Sequence, residues 1–419
     1  MIITGLLLAL LALMGAPLFA IIGAGALLGY WQTGVDLKAV PIEIFGIAET
    51  PILLAIPLFT FAGYLLSESQ AAARLVRLSQ ALLGWLPGGL AMVAVAACSL
   101  FTAFTGGSGV TIIAIGALLY PALVQAGYSE RFTLGLVTSS GSLGLLFAPS
   151  LPLIIYGIVA RVPVDSLFVA GVLPGVLMMI ALAAFCLWRN RENRQPISAF
   201  SWREVWLALR AAAWELPLPV VVLGGIYSGY FAVSEAAAVT VMYVLVTELL
   251  IYREVPLRRL PGIIRNSMVL VGGILVILGI SLASTNYMID AQVPQQLIAI
   301  VSHYISSQTS FLLLLIAFLM VIGCMLHVYS ALVLIVPLIL PVAALYEVNP
   351  VHLGIIFVAT MELGYLLPPI GLNLYISSFR FRKPVLDVCM ATLPFMLILL
   401  VTVFLITFVP GLSLVLLPQ

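Results

Sequence analysis

The sequence predicts an all-α polytopic membrane protein built from two inverted-topology repeats, each carrying a re-entrant helical hairpin and a broken transmembrane helix. Three observations predict it. Of 419 residues, 63% are hydrophobic and only 8% charged, with a mean hydropathy of +1.24, so polar side chains are too few to coat a water-soluble globule of this size. Two apolar stretches, LGLLFAPSLPLIIY (143–156) and LGYLLPPIGLNLY (363–375), are interrupted alike: Gly144 and Pro149 stand 220 positions before Gly364 and Pro369. Of the 17 Lys and Arg, all but Lys38 and Arg161 fall on one side of the topology drawn below, as the positive-inside rule requires of the cytoplasmic face.

The elements follow in order. The start, MIITGLLLALLALMGAPLFAIIGAGALLGYW, lacks a basic leader and is too long for a cleaved signal, so 3–31 reads as the first span. A second span covers 50–69, and AAARLVRLSQALLGWL (71–86) is an amphipathic arm at the interface. The first hairpin, 88–127, has apolar arms of about fifteen residues, too short to cross alone, around the tip FTAFTGGSGVT (101–111). Freed backbone groups at such a glycine-rich tip cost several kcal/mol in hydrocarbon, so the tip must line a wet cavity walled by protein. The broken helix 131–160 and the span 165–188 complete the first half.

A basic connector, 189–215, lies on the cytoplasmic side, and a helix at 213–229 supplies the odd crossing that inverts the second copy. Spans at 232–252 and 265–289, a second arm at 295–307, a hairpin at 310–346, a broken helix at 350–378 and a last span at 385–411 then repeat the plan. Pro121 and Pro341 are again 220 apart. The second hairpin opens to the opposite face, with Gly323, His327, Tyr329 and Ser330 near its turn.

A broken helix exposes carbonyls where its first half ends and N–H groups where its second begins, which suits a cation and an anion respectively. TSSGS (138–142) and NLYISS (373–378) add hydroxyl and amide groups at these breaks. Inverted repeats with such breaks are the architecture of secondary transporters. Glu362, just ahead of the second break, reads as support for a cation site, and Glu235 as structural. His303 and His352 fall near the periplasmic face and read as solvated. No Arg or Lys falls at mid-depth, so an anion would be met by helix N-termini, hydroxyls, Asn373 and bound cations.

Other functions are disfavoured by the same residues. There is no phosphate-binding loop, dinucleotide fingerprint or zinc-type cysteine cluster, and a net charge of +1 offers nucleic acid no basic face. Cys98, Cys186, Cys324 and Cys389 are scattered in apolar stretches as small filling residues. Neither Ser108 nor Ser140 has a His on its own face, which argues against an intramembrane enzyme. Polarity confined to two tips and two breaks argues against a channel.

Several stretches together resemble a known family: GYSERFTLGLVTSSGSLGLLFAPSLPLIIYG (127–157), LFVAGVLPGVLM (167–178), GGIYSGYFAVSEAAAV (224–239) and NPVHLGIIFVATMELGYLLPPIGLNLYISS (349–378), with IPLFTFAG (56–63) and FTGGSGVT at the first tip. As a set they are similar to the large membrane (M) subunit of the tripartite ATP-independent periplasmic (TRAP) transporters. The resemblance implies a sodium-coupled elevator importer in the bacterial inner membrane, working with a small four-helix membrane (Q) subunit and a periplasmic substrate-binding protein (P subunit). It implies organic acids as substrates: C4-dicarboxylates, sialic and sugar acids, ectoines or keto acids. By the same resemblance a first sodium site falls on Thr105, Ser108, Gly141, Gly144, Phe147 and Pro149, and a second on Gly323, Thr360, Gly364, Leu367 and Pro369, largely through carbonyls. Substrate is expected at Gly106, Gly107, Ser140, Ser150 and Asn373, with Glu362 and His327 behind the cation sites. The implied division is scaffold and arm at 1–87, a mobile half at 88–195, a connector at 196–230, scaffold and arm at 231–309, and a second mobile half at 310–419. The chain departs from the family at its tip, GGSG, at VSEA (233–236), and at His327, where an acidic residue is common. The rival reading is a stand-alone sodium- or proton-coupled organic anion symporter of a related fold.

Overall fold

The computed structural model describes residues 8, 10–11, 14–86, 88–190 and 200–417, and among these the fold is helical with no strand. The first half contains α1 (Leu18–Thr33), α2 (Ala39–Ala48), α3 (Ala55–Ser67), α4 (Ala71–Leu83), α5 (Gly89–Thr105), α6 (Ser108–Gln125), α7 (Glu130–Ser140), α8 (Leu151–Ala160) and α9 (Val164–Arg189). Two short helices link the halves, α10 (Trp202–Ala211) and α11 (Pro217–Tyr227). The second half contains α12 (Val233–Leu245), α13 (Leu260–Asp290), α14 (Val293–Tyr304), α15 (Gln308–Met325), α16 (Val328–Leu345), α17 (Pro350–Gly364), α18 (Leu372–Phe381), α19 (Val385–Phe408) and α20 (Gly411–Leu414).

Helix boundaries recur between the halves. The hairpin arms α5 and α15 end at 105 and 325, α6 and α16 run over 108–125 and 328–345, and α7 and α17 begin at 130 and 350, each pair 220 residues apart. Both α7 and α17 open on a side-chain cap: Ser129 Oγ accepts the Phe132 N–H, and Asn349 Oδ1 accepts the Val351 N–H. After the breaks the offset is 221, with α9 and α19 beginning at 164 and 385. Packing exchanges the halves. The first arm of each hairpin lies against its own broken helix, α5 on α7 and α15 on α17, while the second arm lies against the other half's, α6 on α18 and α16 on α8. The two first half-helices sit at the centre, where residues 133–146 and 352–364 are buried without interruption.

The arm α4 is fastened by ions. The Arg74 guanidinium pairs with Glu215, Glu254 and, at 3.4 Å, Glu248, and lies 3.9 Å over the Tyr252 ring. These partners come from the connector and from the chain just beyond α12, so one buried cation holds three segments together.

Four expectations need correction. Part of 3–31 lies outside the described residues, and the rest is broken: residues 8, 10 and 11 are helical, a turn follows at Gly15, whose φ is 85°, and a new helix begins at Leu18. The stretch between the first two expected spans holds a ten-residue helix, α2, bent by 70° from the helix that follows. Ten residues, with Glu43 among them, are too few to signal a span, which is why the pattern alone passed over it. The hairpin arms are 17 and 18 residues, or about 26 Å at 1.5 Å per residue, longer than expected. The expected crossing at 213–229 forms only the 11-residue α11, roughly 16 Å long, because Pro217 cannot continue a helix from its N-terminal side without losing a hydrogen bond. The connector residues 191–199 lie outside the described residues; beyond them α10 buries Val205 and Ala208 and packs on α4.

Candidate functional site

At the first break the helix stops at Ser140 and restarts at Leu151, with a single 3-10 turn, Leu143–Leu146, between. The hairpin tip faces this gap. Gly106 holds a φ of 67°, a left-handed conformation that suits glycine, and turns α5 into α6 within two residues. Thr105 and Ser108 flank the tip, each 4% exposed. Thr102, one turn before Thr105, ties the parts together: its hydroxyl lies 2.8 Å from the Gly141 carbonyl oxygen, 2.6 Å from Thr111 Oγ1 and 2.8 Å from the Cys98 carbonyl oxygen. Gly144 lies against α5 so closely that a Cβ there would come 2.5 Å from the Ala103 nitrogen. Its carbonyl accepts the Phe147 N–H at 3.1 Å, leaving a second lone pair. Ser140 and Ser150 turn their hydroxyls onto the carbonyls of Leu136 and Leu145. The peptide bond before Pro149 is cis, as is the one before Pro369.

The second break shares the close glycine packing but not the burial: Pro368, Pro369 and Ile370 are exposed where Ala148, Pro149 and Ser150 are buried. Gly364 abuts Gly323 of α15 backbone to backbone, and its carbonyl accepts the Leu367 N–H at 3.1 Å. Thr360 donates to the Ile356 carbonyl. The tip runs through Leu326 and His327; the Val328 N–H donates to the Tyr365 hydroxyl at 2.7 Å. His327 is exposed, with its ring 4.5 Å from that of Tyr329 and 6.0 Å from that of Tyr365. Several buried polar side chains remain unmatched among the described residues, Ser139 and Ser142 at the first break included; Glu362 and Asn373 are the two in the second half with both terminal atoms unmatched. Neither carboxylate oxygen of Glu362 and neither terminal atom of Asn373 has a hydrogen-bond partner among the described residues, although the residues are 1% and 0% exposed. Buried polar groups are nearly always bonded, so these two mark a place where the protein is not self-satisfied.

The halves are joined at the site. The Tyr329 hydroxyl, from the second tip, donates to the carbonyl of Gly106 in the first at 3.0 Å. Thr138 of α7 bonds Ser377 of α18 at 2.8 Å, one turn from Asn373 on the same helix. The two tips are therefore in contact, the first largely buried and the second leaving His327 exposed. The fold sets Gly106 against Leu151 and Ser108 against Gly141 of the first break, Thr105 against Gly63 of α3, and Gly323 against Gly364 of the second break, and it sets Asn373 at the start of a helix packed on α6. Sequence reading missed Thr102, Thr111 and the Tyr329 bond. A signal for the first two was present, since Thr102, Thr105, Ser108 and Thr111 recur every third residue across the tip. Two other ionisable residues are explained without function. The Glu235 carboxylate accepts the Ala232 N–H and caps α12. His352, expected to be solvated, is 2% exposed and bonded to Ser413 and the Thr407 carbonyl, a core residue, whereas His303 is exposed.

Comparison with known proteins shows the family and the fold. The profile of the tripartite ATP-independent periplasmic transporter, DctM component, matches residues 4–412. The C4-dicarboxylate TRAP transporter large permease protein DctM of Rhodobacter capsulatus is 34% identical, covering 99% of this chain and 98% of its own, and that of Pseudomonas aeruginosa is 35% identical, covering 91% and 90%. The isethionate TRAP transporter permease protein DctMQ of Oleidesulfovibrio alaskensis is 30% identical over 96% of this chain and 64% of its own. Among solved structures, the YdaH transporter of Alcanivorax borkumensis aligns with a TM-score of 0.63 over 90% of this chain and 89% of that one; at 14% identity it speaks to the fold alone.

Proposed function

We propose that this chain, which belongs to the DctM family and is a large permease of a tripartite ATP-independent periplasmic transporter, couples uptake of a small organic anion to the entry of two or more sodium ions. The observation that carries the proposal is the pair of matched half-sites, each a glycine break packed on a hairpin tip. At each, a glycine carbonyl keeps a free lone pair: that of Gly144, packed beside Thr102, and that of Gly364, packed on the Gly323 backbone; oxygen donors of this kind suit a hard monovalent cation. Sodium would sit on Thr105, Ser108, Gly141, Gly144, Phe147 and Pro149, and on Gly323, Thr360, Gly364, Leu367 and Pro369. The Gly141 carbonyl already accepts from Thr102, which orients it.

The substrate meets Gly106, Gly107, Ser140, Ser150 and Asn373. Asn373 fits this role best, because both its buried polar atoms lack partners and it stands at the start of α18, where free N–H groups favour an anion. The relatives named for a C4-dicarboxylate and for isethionate support an acid, and the residues here do not choose between them. The halves act as inverted repeats that move the tips and breaks together past the scaffold in an elevator motion, an arrangement supported by the recurring helix boundaries and the crosswise packing. The partners are a periplasmic binding protein and a small membrane subunit in the bacterial inner membrane, and the DctMQ name of one relative supports the second.

The experiment is uptake of a labelled C4-dicarboxylate by proteoliposomes holding the permease, small subunit and binding protein, against external sodium, with potassium and proton gradients as controls. Each net positive charge carried inward gains about 2.3 kcal/mol per 100 mV, so sodium in excess of substrate charge makes uptake respond to membrane potential. Uptake that ignores sodium and follows pH would replace the cation reading with a proton one, for which the unpartnered Glu362 and the exposed His327 are the groups to test. Full uptake without the binding protein would favour a stand-alone symporter.

A further inference from the structure

At the positively charged face, the start of α7, the end of α9 and the first turns of α19 enclose a crevice of about 310 Å³. Its rim carries Arg131 and Arg189, both exposed and neither paired with a carboxylate among the described residues. Its walls are Phe132, Phe185, Pro394 and Phe395, with ring centroids 5.4 Å apart for Phe132 and Phe395 and 5.2 Å for Phe185 and Phe395. No acidic residue lines it among the described residues. Glu130 and Asp387 line the adjoining hollow instead, where Glu130 is held by Lys383 at 2.6 Å and Tyr120 at 2.8 Å.

Arg131 is held in place by a backbone defect. Pro394, inside α19, has no N–H to give to the carbonyl four residues earlier, which is that of Met390. That freed oxygen accepts from the Arg131 guanidinium at 3.2 Å, which uses one of five N–H groups and leaves the others for an acceptor at the rim.

We propose that this crevice binds one anionic phospholipid of the cytoplasmic leaflet, its phosphate between Arg131 and Arg189 and an acyl chain along the phenylalanine wall. Charge and depth together choose the occupant. Two unpaired guanidinium groups select a phosphate. Apart from Phe132 of α7, the wall below them belongs to α9 and α19, helices long and apolar enough to cross a membrane, so what lies beneath the arginines is hydrocarbon. A soluble phosphate leaves that wall bare, and a zwitterionic lipid returns a positive charge to the rim.

The test is native mass spectrometry of the full chain, purified in detergent and offered phosphatidylglycerol and phosphatidylcholine in equal amounts. The wild-type chain is expected to retain phosphatidylglycerol by roughly tenfold over phosphatidylcholine, and a variant combining Arg131→Gln with Arg189→Gln to lose that preference. Arg203→Gln, an exposed arginine on α10 outside the crevice, should keep it. If the double variant does not fold, Arg189→Gln alone carries the test, since its exposed side chain has no ion pair to lose, and the preference should fall by several-fold. Equal retention of both lipids by the wild-type chain, or an unchanged preference in the Arg189→Gln variant, overturns the proposal.

Discussion

Gly364→Ala tests the close approach on which the second half-site depends. A Cβ at Gly364 would lie 2.5 Å from the Cα and 2.7 Å from the carbonyl carbon of Gly323, and 3.1 Å from the Cys324 nitrogen. Ordinary contacts of this kind begin at 3.4 Å, so α15 and α17 must part by about 0.9 Å, the difference between 3.4 and 2.5. All three obstacles are backbone and cannot rotate away as a side chain would. Overpacking of this kind costs roughly 1–3 kcal/mol, while replacing glycine in a helix returns about 0.5–1 kcal/mol, so a net loss of up to about 2.5 kcal/mol is expected. Uptake should suffer more than stability, because a displacement near 1 Å in a positioned site costs on the order of a hundredfold. Gly144→Ala should behave alike, its Cβ falling 2.5 Å from the Ala103 nitrogen. Gly272→Ala on α13 is the control, since nothing lies within 4 Å of its Cβ, and it should match or exceed wild-type stability. The measurements are thermal unfolding of the purified protein and initial uptake by proteoliposomes of the complete transporter. Wild-type uptake by Gly364→Ala, or equal damage from Gly272→Ala, would refute the reasoning.

Arg74→Met leaves the buried Glu215 and Glu248 and the partly buried Glu254 without their shared cation and should cost about 3–5 kcal/mol, whereas Arg77→Met, which removes an exposed pair with Glu204, should cost under about 1 kcal/mol; thermal unfolding of both variants decides. Tyr329→Phe strands the buried Gly106 carbonyl at a cost of roughly 1–3 kcal/mol, and hydrogen exchange at the amides of 106–110 should quicken while that of α13 stays unchanged. Ser108→Ala removes one hydroxyl from the first half-site and should raise the sodium needed for half-maximal uptake by a few-fold without abolishing transport, and an unchanged sodium curve would remove Ser108 from the donor set. For orientation, cysteines at Ala126 and Ser306 should label from opposite faces; Ala126 is preferred to Gly127, whose φ of 85° strains any side chain, and labelling from one face would contradict the opposed hairpins.

The breaks and tips were legible because they offend local rules. Glycine and proline in an apolar run contradict helix propensity, and when the contradiction recurs 220 residues later, at 144 and 364 and at 149 and 369, coincidence is a poor account of it. Helix limits followed for the same reason, since tips, caps and prolines are written in consecutive residues. Length was less legible. The 11 residues of α11 and the ten of α2 lie in apolar stretches whose composition resembles that of a true span, and hydropathy does not say where a helix ends.

What stayed hidden depends on register between distant helices. That Tyr329 would reach Gly106, 223 residues away, or that Arg74 would meet Glu215, Glu248 and Glu254, follows from how the hairpins and arms cross, and no local pattern encodes a crossing. The same cause explains His352, which lies near the start of α17 like a solvated end residue and is buried because α20 folds back over it through Ser413. The tip is the instructive intermediate case. Hydroxyls at 102, 105, 108 and 111 could have been read as one cluster had the spacing of three been followed through the glycines instead of stopping at them. Thr102 matters there because a threonine one turn below a hairpin tip can bond the opposite arm and the neighbouring break at once, as its contacts with Thr111 and Gly141 show. Buried hydroxyls flanking a re-entrant tip therefore belong in a candidate site even when the glycines between them draw the eye.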